Sequence, residues 1–168
     1  MGTDQNESRY CLECKSKKNQ HFPNVRMDTC KVLYAVWEMQ CCGNPIKIGS
    51  RVKWPGAKVT AEYRRENIEY KDLVDYHYQA HECKELMSKI QGDVKSITIR
   101  YCTFKETNRG MVHDNEKLVA SDYVDGWAEY KDGEWEASDY IVELENVTVR
   151  EPNKKICIYD MAEAEDFQ

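Results

Sequence analysis

A chain of 168 residues with 41% hydrophobic and 32% charged side chains can bury one core, and no apolar run in it nears the roughly 18 residues a membrane-spanning helix needs. The opening MGTDQNESRY is polar and acidic, unlike a secretory leader, so the expectation is a cytoplasmic protein with reduced thiols. Net charge is −6 and unevenly placed: residues 1–112 hold 19 Lys/Arg against 14 Asp/Glu and residues 113–168 hold 5 against 16, a balance that disfavours nucleic acid and favours a basic protein partner.

Residues 1–30 read as a polar, cysteine-bearing arm with a basic KSKK cluster. A barrel domain is expected over 31–160, followed by an acidic tail at 161–168. KVLYAVW is rich in β-branched and aromatic residues, which suit a pleated, half-buried surface, and predicts a strand over Lys31–Met39. Two short strands follow, Arg51–Trp54, ended by Pro55-Gly56, and Lys58–Tyr63. The segment around 66–90 predicts a helical insertion from its length and Glu/Lys content, although Val74, Tyr76, Tyr78 and Ala80 also alternate as a strand would. After Gly92 the reading is β again: DVKSITIRYCTF, then KLVASDY, then a hairpin turning at Asp132-Gly133. In DYIVELENVTVR, Tyr140, Val142 and Leu144 alternate with Ile141, Glu143 and Glu145, giving one apolar face, and KKICIY closes the series. Many short strands with one helical insertion predict a mainly β, α+β fold: a small open barrel of SH3-like or OB-like kind.

The chemistry lies in cysteines and histidines. His77 and His81, four apart on the expected helix, would share a face, and Cys41 and Cys42 would add thiolates to make a tetrahedral zinc site. Cys83 stands behind them as a reserve ligand. A second zinc site is open to Cys11, Cys14, His21 and Cys30, where the Cys-x-x-Cys spacing is that of a structural knuckle and metal would supply the arm's folding energy. Burial as small core side chains is the competing account of any of these cysteines. A zinc peptidase of the H-E-x-x-H type is excluded, since Tyr78 occupies the place of the glutamate. Trp127, Tyr130 and Trp135 with Glu134 and Glu136 form a candidate pad for a cationic protein partner.

These patterns support an intracellular metal-stabilised binding protein with an acidic recognition surface, of the inhibitor or immunity type. The alternatives are a zinc-dependent enzyme at Cys41, Cys42, His77 and His81, and a nucleic-acid adaptor working through the N-terminal knuckle. The run WEMQCCGNPIKIGSRVKW, with DYHYQAH, GDVKSI and DYIVELENV downstream, resembles a bacterial domain family of unknown function with a W-x-M-Q-C-C-G-x-P…G-x-x-V-x-W signature. The resemblance implies one domain over about residues 31–149 and brings no activity, cofactor or partner with it.

Overall fold

Alternation of buried and exposed side chains, the mark of a strand with one wet face, runs through much of the chain. The computed structural model describes residues 24–60, 74–81, 87–127 and 133–152. In chain order its elements are β1 (Asn24–Ala35), α1 (Val36–Cys42), β2 (Ile46–Lys47), β3 (Arg51–Lys58) and β4 (Tyr76–Tyr78). They continue with β5 (Ser88–Thr107), β6 (Gly110–Ser121), β7 (Tyr123–Val124) and β8 (Glu136–Arg150).

The main sheet closes on itself. β1 pairs antiparallel with β8, β8 with β5, β5 with β3 and β3 with β4, and β4 returns to β1 in parallel register. The fold is mainly β, a closed five-stranded barrel with one short helix, and the expected small barrel is tighter than the open form foreseen. β5 makes this possible by its length. Its first part, Ser88 to Asp93, pairs with β3, and from Ile97 onward it pairs with β6, which stands outside the ring as the sheet edge.

Inside the ring lie Val32, Tyr34, Ile90, Val94, Ile97, Ile99, Tyr140, Val142 and Leu144. The apolar face expected from Tyr140, Val142 and Leu144 is therefore the barrel lining. The alternation then slips: Asn146 takes a φ of 52°, and Val147 and Val149 become the buried residues. Such irregularities change which face a strand turns inward. Leu33, Val59, Val74 and Ile141 form a smaller second cluster. Arg100 is also wholly buried, with Nε 3.2 Å from Asp139 Oδ2 and Nη1 3.3 Å from Glu116 Oε2, the counter-charge an enclosed guanidinium requires.

Several expectations are corrected. The strand foreseen at Lys31–Met39 stops at Ala35, and the double cysteine ends helix α1. Val36 and Met39, three apart, are buried there, so a helical period takes over where β-propensity alone argued for strand. The strand foreseen from Arg51 to Trp54 runs on through Pro55-Gly56 to Lys58, because here β3 exchanges β5 for β4 as its partner. The helix foreseen around 66–90 gives way to strand at Tyr76–Tyr78 and from Ser88 on. Pairing on both sides of β4 favours the alternation that competed with the helix. Asn24–Cys30, placed in the polar arm, is the first half of β1, where it pairs with the far end of β8. Residues 61–73, the strand expected at KKICIY and the acidic tail lie outside the described residues, as does most of the arm. The Asp132-Gly133 hairpin lies partly outside them: Gly133 has a φ of 62°, but the strand beyond it begins only at Glu136.

Gly56 sits at the exchange point, paired with both Tyr78 and Ser88. A Cβ there would lie 2.6 Å from Ile90 Cδ1 and 3.2 Å from the His77 carbonyl oxygen. Gly56→Val is expected to cost about 1–3 kcal/mol by overpacking. Urea unfolding of the two proteins checks this, and an unchanged midpoint would show that the wall yields at that corner.

Candidate metal centre

Helix α1 is a single short element between β1 and the turn before β2, and it ends where the Gly43 N–H donates to the Glu38 and Met39 carbonyls at 3.1 Å. A side chain at residue 43 would collide with the Tyr34 hydroxyl and with Met39 Cα, so glycine lets the chain leave close against the barrel. This placement turns Cys41 and Cys42 outward on the last helical turn. From the neighbouring strand, β4, the chain continues through Gln79 and Ala80 to His81. The Gln79 N–H donates to the Pro55 carbonyl at 3.2 Å, holding that exit against β3.

The two exits meet. Cys42 Sγ lies 3.5 Å from His81 Nε2, and the ligating atoms of Cys41, Cys42 and His81 all fall within 4.8 Å of one another. The Trp37 ring stacks on the His81 imidazole, centroids 5.4 Å apart and planes 16° from parallel. Beneath them lies Glu38, one turn before Cys42 and only 3% exposed, with Oε1 accepting the Ala80 N–H at 3.4 Å. Burial pushes the Glu38 carboxyl above its usual range, while the Ala80 N–H and the His81 imidazole pull it back. The Cys42 thiol is raised as well, first by desolvation and then by Cys41 and the Glu38 carboxylate. Negative charge accumulates as these groups ionise, and a cation between the sulfurs and the imidazole relieves it. Two thiols and one imidazole suit a borderline-soft divalent ion.

Of the residues proposed as the first zinc set, the structure gathers Cys41, Cys42 and His81 and leaves out His77. In strand β4 its neighbours Tyr76 and Tyr78 pack in or against the barrel core, so His77 projects from the opposite face, in register with Leu33 and Ala57. Its environment is set by burial and by the Asp139 carboxylate rather than by sulfur. Of the second set, Cys30 is 1% exposed within the core, and burial pushes its thiol up to about 12, as befits a packed side chain rather than a knuckle ligand. Cys11, Cys14, His21 and Cys83 lie outside the described residues. In the proposed partner pad, Trp127 is 69% exposed and Glu134 and Glu136 face solvent. Trp135 instead packs against the core, with Lys117 Nζ 4.4 Å from its ring centre, and Tyr130 lies outside the described residues.

Glu38 and Trp37 were not foreseen as site residues. Glu38-x-x-x-Cys42 is a one-face pair only on a helix, and on the strand that β-propensity predicts the two residues lose that meaning.

A cleft of about 560 Å³ opens beside the cluster, lined by Cys42 and His81 together with Lys53, Trp54, Tyr78 and Lys89. Fold and site together define a small closed β-barrel domain carrying a Cys-Cys-His cluster at one end of its wall. The chain belongs to a family of unknown function, DUF6578, whose model matches residues 28–146 and so spans the cluster and nearly all of the barrel strands. No curated protein and no solved structure matches it. Among the described residues, no helix is long and apolar enough to cross a membrane.

His77 carries a pH dependence with a defined sign. Its pKa lies below the ordinary 6.5 because of burial, partly opposed by Asp139. As pH falls below that value the unfolded chain takes up the proton first, so stability present above it is lost as pH falls toward the folded-state pKa. His77→Gln is expected to lose less stability than the parent between about pH 7.5 and about pH 5.5. Denaturant midpoints at the two pH values check it, and equal losses would refute it.

Proposed function

We propose that this domain binds zinc through Cys41, Cys42 and His81 and leaves the fourth coordination position to a ligand arriving from the cleft. The observation that carries this reading is the meeting of three ligating atoms within 4.8 Å over a buried carboxylate. Stacking on Trp37 restricts the His81 imidazole, and the Glu38 carboxylate is close enough to act on it electrostatically. Zinc fits the mixed sulfur and nitrogen donors, and three protein ligands with a vacancy are the arrangement that admits an exogenous group.

The ion serves binding more than folding in this reading. The barrel closes through backbone pairing and fills its interior with its own apolar residues, while both thiols stand at the surface. A zinc-dependent reaction is one use of the vacancy, and capture of a ligand without turnover is the other.

A second reading, recognition of a basic protein partner, is favoured by the exposure of Trp127 and of Tyr123, with Glu134 and Glu136 also at the surface. Capture from the native cell lysate is expected to recover a partner that Trp127→Ser loses. Equal recovery by both proteins would remove this surface from consideration.

For the metal, elemental analysis of the purified full chain is expected to find one zinc equivalent more than in Cys42→Ser or His81→Ala. His77→Ala should keep the parent content, since its side chain faces away. X-ray absorption should count two sulfurs at the ion, at about 2.3 Å. Chelation should leave the far-ultraviolet dichroism of the barrel in place. Parent protein with no more zinc than the Cys42 and His81 variants would end the proposal.

A further inference from the structure

The cleft beside Cys42 and His81 has walls of opposite character to the protein as a whole. The chain carries a net charge of −6, yet two lysines, Lys53 and Lys89, are among the residues lining the cleft. Their placement follows from the barrel register. Lys89 pairs opposite Pro55 across β3 and β5, and Lys53 lies two residues along β3 on the same outer face, a diagonal neighbour; Trp54, between them in sequence, pairs with Ile90 and packs against the core from the other face, and the cleft reaches both. Arg51, Lys95, Arg100 and Lys105 are in ion pairs, whereas among the described residues neither cleft lysine is in one. Two like charges on one face, with no counter-ion among the described residues, repel each other. An anion between them converts that repulsion into attraction.

Trp54 and Tyr78 add an aromatic wall, their rings edge-to-face with centroids 6.0 Å apart. The volume, about 560 Å³, is that of a small-molecule site. Charge around the cluster agrees with an anionic visitor. Two thiolates neutralise a divalent ion; among the described residues Glu38 brings one negative charge when ionised, and the lysines bring two positive charges.

We infer that this cleft binds a small oxyanion, carboxylate or phosphate, with one oxygen taking the fourth position on the metal, Lys53 and Lys89 holding the remaining charge, and the body of the ligand lying against Trp54 and Tyr78. The inference rests on the zinc reading, because the vacancy it fills is the one that Cys41, Cys42 and His81 leave. Anionic oxygen is an accepted ligand of zinc, so the chemistry of the vacancy and of the lysines selects the same group.

The test uses the full chain loaded with Co²⁺, whose visible spectrum reports the coordination sphere. Inorganic phosphate and benzoate are titrated separately at constant ionic strength. A saturable change in the cobalt bands is expected with at least one of them; benzoate alone marks a carboxylate site, phosphate alone a phosphate site. The Lys53→Met, Lys89→Met double variant is expected to take up the same Co²⁺ and to bind the effective anion about tenfold more weakly. Bands that ignore both anions while Co²⁺ remains bound would overturn the oxyanion site and leave the metal site standing. A double variant that titrates like the parent would overturn the role of the lysines. Failure of the parent to take up Co²⁺, with Cys42→Ser behaving identically, would remove both proposals together.

Discussion

The candidate site depends on one pairing, the parallel register of β4 with β1, in which Val32 stands beside Tyr76 and Leu33 beside His77. Parallel neighbours run in the same direction, so the segments that follow them leave the barrel at the same end. After β1 that segment is α1 with its two cysteines, and after β4 it is the short path to His81. An antiparallel arrangement would send the two segments to opposite ends. Asp75 secures the register: its carboxylate accepts the Lys31 N–H at 2.9 Å, and its own N–H donates to the Lys31 carbonyl at 2.8 Å. On its other side β4 is held by β3, with the Val59 N–H donating to the Asp75 carbonyl at 2.9 Å. A three-residue strand is thus fixed by two neighbours.

The same pairing explains why the site is chemically mixed. The helix supplies sulfur from its last turn and a buried carboxylate from its inner face, and the strand exit supplies nitrogen. Tyr34 and Tyr78, stacked at 3.9 Å, form the floor between the two exits, and burial together with their mutual hydrogen bond raises the Tyr34 hydroxyl well above its usual range. The lysines come from a third source, the β3–β5 wall, so cleft and cluster are built by four strands and one helix of the ring.

What could be read beforehand follows from how local each signal is. The apolar face of Tyr140, Val142 and Leu144 is a property of consecutive residues, and it reappears as barrel lining. The double cysteine before glycine was equally visible as chemistry. His77 and His81 misled because a four-residue spacing means a shared face only on a helix; here the strand ends at Tyr78, and the chain turns before His81. The boundary at Ala35 was hidden for a related reason. Val36 and Trp37 favour strand intrinsically, whereas the helix is selected by the burial of Val36 and Met39. Cys30 resembled a metal ligand by residue type, as the thiol that would complete a set with Cys11, Cys14 and His21, yet it pairs with Leu144 in the core.

By itself the sequence determined the β character, the scale of the barrel and the residue types of the candidate metal centre, because alternation and composition act between near neighbours. Which of those residues meet was decided by the tertiary structure alone. Ring closure brings residue 42 within 3.5 Å of residue 81 and turns residue 77 to the other face, and it lowers Glu38 beneath them both. Contacts across such separations depend on strand order and register, which no short stretch of the chain contains.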